Sequence, residues 1–363
     1  MIEKNTYKRL GDYIREVNVR NRDLAVTELM GVSITKEFIN SIANTIGTDM
    51  STYKVVSQSQ FAYGPVTSRN GDKVSIALYK DDANAIVSQA YTVFEVIDHS
   101  ELMPEYLMMW FRRPEFDRYA RFKSRGSARE IFDWDELCDT LLPVPDIEVQ
   151  RQIVAEYETL SRRIAINEQI CTKLEETAQA LYRRMFVDNI DPEHLPDGWR
   201  WGILGEIAEI TSGKSCPVKQ DTNDSDFTYP VIGATGIIGY SNYYNQDCKL
   251  MTTGRVGTLG VVNRYKAKLW TSDNVLIAKT LYYEYCYQIL RSNNYNDIVK
   301  GGVQSLITQT DLKNVDIIIP AEQILCDFER QSSLFFREIG NKFDENQTIK
   351  QIQTLFLSKL ATN

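Results

Sequence analysis

The residues from Phe111 to Phe132, FRRPEFDRYARFKSRGSAREIF, gather a chemistry that the rest of the chain does not repeat. Between Arg112 and Arg129 stand seven basic side chains (Arg112, Arg113, Arg118, Arg121, Lys123, Arg125 and Arg129) against two acidic ones, in a protein of net charge −8. Guanidinium groups at this density suit phosphate contact, and arginine also reads guanine edges through paired hydrogen bonds. Steps of three and four residues predict Arg118, Arg121 and Arg125 on one helical face, with Phe116, Tyr119 and Phe122 as apolar anchors on the others. The plainer reading is a solvated face paired with Glu115, Asp117 and Glu130.

Other motifs carry less. TSGKS (211–215) imitates a phosphate loop, but the required first glycine is Ala208 and no helical pattern follows. GRVGTLG (254–260) lacks the dinucleotide spacing and sits in a β-rich run, where a turn or bulge explains it. Its glycines could still bring backbone, and Arg255 beside them, close to a nucleic-acid strand. No cofactor glycine loop and no Asn/Asp-Pro-Pro-aromatic tetrapeptide of an amino-methyltransferase occurs, nor a nuclease carboxylate cluster, a helicase motif or a nucleophile elbow. Two histidines, His99 and His194, lie far apart, which argues against a histidine metal site or a histidine-dependent triad. The chain reads as non-catalytic.

At 363 residues, with 43% apolar and 11% aromatic content, two ordinary globular domains are expected. No apolar run is long enough to cross a bilayer, and MIEKNTYKRLGDY is unlike a signal peptide. Six isolated cysteines suggest reduced thiols and a cytoplasmic location. The charge is mildly acidic in every segment, so the basic stretch is a local patch within an acidic protein.

The elements that must position this patch come in two copies. Sliding Gly126–Met185 by 175 positions sets Gly126 on Gly301, Ile131 on Leu306, Leu137 on Leu312, Pro145 on Pro320, Ile153 on Phe328 and Met185 on Leu360, without a gap. Upstream, RLGDYI resembles ILGEIA at an offset of 194. Each copy ends in a heptad-patterned helix. The first seam runs Ile153, Tyr157, Leu160, Ile164, Asn167, Cys171, Leu174, Ala178, Leu181 and Met185; the second runs from Phe328 to Leu360 and is interrupted by Lys342, Asn346 and Gln353. A seam of that length makes a helix of about 50 Å, and matched lengths favour pairing of the two. KVSIALY (73–79), AIVSQAYTVFEV (85–96), LGVVNRY (259–265) and NVLIAK (274–279) read as strands, RNGD (69–72) as a hairpin turn, and 101–112 and 114–124 as helices, with Pro114 at a first helical position. The expected class is α/β (α+β): two mixed globules, each followed by a long helix, joined by NIDPEHLPDG (189–198).

These residues resemble the DNA-specificity subunits of type I restriction-modification systems over nearly the whole chain. LLPVPDIEVQRQIV leading to LYRRMF (141–186) resembles the family's central spacer, LPDGWRWGILGEIAEITSG (195–213) the start of a target-recognition domain, and YPVIGATGIIGY (229–240) with GRVGTLGVV (254–262) the body of the second such domain. The resemblance implies target-recognition domains at 1–145 and 191–321, a central spacer helix at 146–190 and a distal one at 322–363. The spacers would pair as an antiparallel coiled coil with pseudo-twofold symmetry. The partners implied are double-stranded DNA with a bipartite target, two methyltransferase subunits that carry S-adenosylmethionine, and an ATP-dependent restriction subunit as an optional addition. This chain itself would bind no cofactor, no metal and no membrane. Half-sites about one duplex turn apart, about 34 Å, fall within the reach of such a helix.

On that resemblance, Arg125, Ser127 and Arg129 are expected to contact DNA in the first domain, supported by Arg118 and Arg121. Lys214, Arg255, Lys300, Gln304 and Ser305 are the candidates in the second. The competing reading is a coiled-coil interaction scaffold with two β-rich binding modules and no nucleic acid.

Overall fold

A computed structural model describes residues 7–41, 47–68, 70, 71, 73–125, 130–256, 259–295 and 306–361. The chain divides into two units: Met1–Asn167 with Asp344–Asn363, and Glu168–Phe343.

In the first unit a four-stranded antiparallel sheet runs Ile14–Val17, Thr92–Val96, Gln60–Tyr63, Ile76–Leu78. Its alternating side chains feed two cores, as the two-residue period of a strand requires. Phe61, Tyr63, Ile76 and Phe94 face one cluster, while Ala62, Ala77 and Val93 face the other. Helices α1 (Pro104–Phe111) and α2 (Pro114–Lys123) cover the aromatic face, where Phe61 stacks on Phe94 at 4.8 Å and meets Phe111 edge-on. The strands around the expected RNGD hairpin pair antiparallel; Arg69 and Asp72 themselves lie outside the described residues.

The second unit has a four-stranded antiparallel sheet, Glu209–Ser212, Val275–Lys279, Leu250–Gly254, Val262–Tyr265. Beside it lies a three-stranded sheet of Gly236–Ser241, Tyr229–Gly233 and Trp270–Thr271.

The repeat holds to the residue. Helix α3 (Trp134–Cys138) recurs as Gln309–Lys313, and the long helix α4 (Ile147–Phe186) begins 175 positions before the last helix, Glu322–Lys359. Tyr7 pairs with Pro143 across an antiparallel ladder; adding 194 and 175 gives Trp201 and Ile318, which pair in the same way. The hydroxyl of Tyr106 donates to the Pro143 carbonyl at 3.1 Å, and that of Tyr285 donates to Ile318. Between α4 and the last helix lie α5 (Tyr283–Ser292) and α6 (Gln309–Lys313); the last helix is α7.

All ten expected seam positions of each copy are buried or half-buried, Leu360 lying just past the end of the last helix. Within the first unit Tyr157 packs on Phe356, Gln353 donates to Ser161 at 2.8 Å, and Arg163 bonds Glu345 at 2.6 Å. Within the second, Phe186 packs on Phe328 at 5.1 Å, and the Cys171 thiol lies 3.9 Å from the Ile339 carbonyl. In each unit, earlier residues of α4 meet later residues of α7, so the contact is antiparallel. The Tyr7 hydroxyl closes the first unit on the Ala361 carbonyl at 2.8 Å. No described helix is long and apolar enough to cross a membrane.

Candidate nucleic-acid interface

Helix α2 starts at Pro114, whose fixed φ and missing N–H suit a first position, and buries Phe116, Asp117 and Ala120. Asp117 anchors it: the carboxylate pairs with Lys36 at 2.8 Å and accepts from the Val74 amide at 3.1 Å. Lys36 also donates to the Phe111 carbonyl, ending α1 and fixing α2 from one buried ammonium. Burial pulls the Lys36 pKa below its ordinary value, with Asp117 opposing. Lys36 adopts a left-handed φ of 66° to reach this position. Nothing in the local sequence marked it, since its partners lie far along the chain.

The helix stops at Lys123. The Ser124 hydroxyl turns back on the Ala120 carbonyl at 2.7 Å and accepts from Thr67, while the Ser124 backbone becomes extended. Arg125 therefore leaves the helix and bridges Ile131 in extended backbone, with N···O distances of 3.0 and 2.9 Å. Arg118, Arg121 and Arg125 do not share one helical face, which corrects the expectation from spacing. Phe122 is a second correction: it is 84% exposed and anchors nothing, whereas Phe116 is buried. Arg113 is buried, with its guanidinium carbon 4.1 Å from the Trp110 ring centre, and burial lowers its pKa.

The cations of α2, and Arg125 just after it, are matched by carboxylates. Arg118 bonds Glu115 at 3.0 Å, Arg121 bonds Glu130, and Arg125 and Lys123 share Glu136 at 2.9 and 3.0 Å. The plainer reading of a paired face thus describes the side chains correctly, with Glu136 in place of Asp117. Such pairs keep guanidinium planes oriented while their outer donors stay exposed. Ser127 and Arg129 lie outside the described residues.

In the second unit Lys214 and Arg255 border one segment, Thr271–Val275. The amide of Gly213 bonds Val275 at 3.1 Å, that of Lys214 bonds Thr271 at 2.9 Å, and that of Arg255 bonds Asn274 at 3.1 Å. A Cβ on Gly213 would stand 1.9 Å from the Ser272 carbonyl, so only glycine passes there. TSGKS is a strand ending in that close crossing. Lys214 is exposed; Arg255 is half-buried, and its Nε has no hydrogen-bond partner among the described residues. Lys300, Gln304 and Ser305 lie outside the described residues.

One correspondence was missed from sequence. Ile307 donates to the Arg255 carbonyl at 2.9 Å as Phe132 does to Pro65, and Val256 bridges Leu306 as Val66 bridges Ile131. GPV (64–66) is therefore the first unit's counterpart of GRV (254–256), three residues at an offset of 190 that only their glycine and valine could have betrayed. Where the second unit presents Arg255, the first has Pro65. No group of three or more side chains that could hold a metal exists among the described residues.

The family profile described as type I restriction modification DNA specificity domain matches this chain twice, at residues 34–176 and 196–353. The chain is similar to the type I restriction enzyme HindI specificity subunit of Haemophilus influenzae, 20% identical over 403 residues that cover 85% of this chain and 86% of that protein. It is also similar to the MjaIX specificity subunit of Methanocaldococcus jannaschii, 23% identical over 305 residues, covering 73% and 70%. Its fold is similar to the crystal structure of the type I restriction-modification S subunit from M. genitalium, with TM-score 0.57 at 13% identity, covering 99% of this chain and 98% of that one. With its two copies of one profile laid on a residue-exact repeat, the chain belongs to the type I restriction-modification DNA specificity family.

Proposed function

We propose that this chain is the sequence-reading subunit of a type I restriction-modification complex and has no catalysis of its own. Residues 1–145 and 191–321 each read one half of a bipartite duplex target. Residues 146–190 and 322–363 form the paired helices between them and carry two methyltransferase subunits, which bring S-adenosylmethionine. An ATP-dependent restriction subunit is an optional addition to the same assembly, which works in the cytoplasm. The observation that carries this reading is the repeat: strand registers and helix starts coincide, while matched positions differ in chemistry, Pro65 against Arg255 by backbone pairing and Arg125 against Lys300 by the sequence offset alone. Two frames alike in backbone and unlike in side chains suit two different half-sites.

Adenine methylation mapped genome-wide in the source cell, with and without this gene, tests the reading. The expected result is loss of methylation at one two-part motif with a fixed gap. An unchanged methylome, with the partner methyltransferase expressed, overturns it in favour of the scaffold without nucleic acid. The scaffold draws support from one observation, the neutralisation of the α2 cations by Glu115, Glu130 and Glu136.

A further inference from the structure

We propose that Glu136 is a positioning residue for duplex recognition by the first unit: it holds Lys123 and Arg125 side by side on one carboxylate and discourages their use as indiscriminate phosphate contacts. The inference rests on the DNA-reading role proposed above.

The geometry is specific. Glu136 stands in the first turn of α3, its amide bonded to the Asp133 cap at 2.9 Å, and the neighbouring Leu137 and Cys138 are buried. Its side chain is 14% exposed, and each oxygen serves a different cation, Oε1 taking Arg125 at 2.9 Å and Oε2 taking Lys123 at 3.0 Å. The Arg125 side chain is 81% exposed, so a single bond to Glu136 sets its direction and leaves other donors facing solvent. Non-specific duplex binding rests on neutralising phosphates. A carboxylate already satisfying both cations weakens that contribution. Reading a base edge draws instead on an oriented guanidinium, which Glu136 supplies at reduced entropic cost. At the 175 offset the second unit has Asp311, a shorter side chain whose carboxylate accepts from the Thr308 amide at 3.0 Å and its hydroxyl at 2.6 Å. There the acidic group is engaged in capping a helix.

The test is duplex binding by the full chain across a salt series, using a mixed-sequence duplex, for wild type and Glu136→Gln. The same substitution is then made in a Lys123→Gln/Arg125→Gln background. Glu136→Gln is expected to tighten mixed-sequence binding several-fold and to steepen the log–log salt slope by about 0.9 for each cation released. In the background lacking both cations the substitution should change neither quantity. Loss of a merely structural contact would weaken binding, so an unchanged or weaker Glu136→Gln overturns the inference. So does equal tightening in both backgrounds, which would be a net-charge effect. If the wild type itself shows no salt-dependent duplex binding, the DNA-reading role fails first and this inference with it.

Discussion

The side-chain amide of Asn167 donates to the side-chain oxygen of Asn346 at 2.8 Å, and both residues are buried in the helix seam of the first unit. The 175 offset maps Asn167 onto Lys342 and Asn346 onto Cys171, so the match is particular to this pair of positions. A buried polar pair in a helical seam fixes register at some expense in stability. Asn167→Leu should leave the Asn346 side-chain oxygen without its donor and cost about 1–3 kcal/mol, measured by denaturant unfolding. The double change to leucine should recover most of that loss. Additive losses would show that the pair does not act as a unit.

The unit-specific reading of DNA predicts separable defects. Arg125→Ala should relax one position in one half of the bipartite motif by about 1–3 kcal/mol, and Arg255→Ala should relax a position in the other half. Methylome sequencing of each variant reads this directly. Relaxation of both halves by either change would contradict the assignment of one half to each unit.

Lys36 supports the basic helix from beneath. Among the described residues its removal leaves Asp117 buried with only the Val74 amide, so Lys36→Met should destabilise by about 3–5 kcal/mol. Duplex binding should weaken along with it, because α2 loses its anchor on α1. Thermal melting and the binding assay together check both effects.

Glu329 gives the second unit a pH dependence of definite sign. Burial raises its pKa above the usual carboxyl value, although it accepts from the amides of Glu284 and Tyr285 at 3.0 and 2.8 Å. A folded-state pKa above the unfolded one means the folded unit holds the extra proton. This contribution is full below the ordinary carboxyl pKa and is lost as pH rises through the raised one. Glu329→Gln should flatten stability against pH just above the ordinary carboxyl range, and melting curves at a series of pH values would show it.

Much of the frame could be read from the residues alone, because Gly126, Pro145 and the apolar seam recur at one unbroken offset and leave the backbone little choice. The strands were visible where β-branched and aromatic residues cluster, as in NVLIAK. What escaped was decided by distant partners. Helical spacing carried α2 through Arg125, but Ser124 preferred the Ala120 carbonyl and Thr67. Arg113 looked like one more surface cation until Trp110 lay beneath it. Phe122 and Phe116 are the same residue type with opposite fates, set by which side of α2 meets the core. Glu136 lay outside the basic stretch and was not recognised as the partner that organises it.

Tyr7 and Ala361, 354 positions apart, meet within hydrogen-bonding distance in the first unit. The first unit is thus assembled from segments that flank the second in sequence. Within the second unit, the mostly exposed stretch 189–198 is the kind of segment where a backbone can be opened with small loss. A short tether between the two meeting points would add little closure entropy. A permuted chain opened at 189–198 would start inside the second unit, and the helix contacts described within each unit should survive. Which of the two repeats comes first is then an accident of where the gene is cut, and not a property of the folded protein.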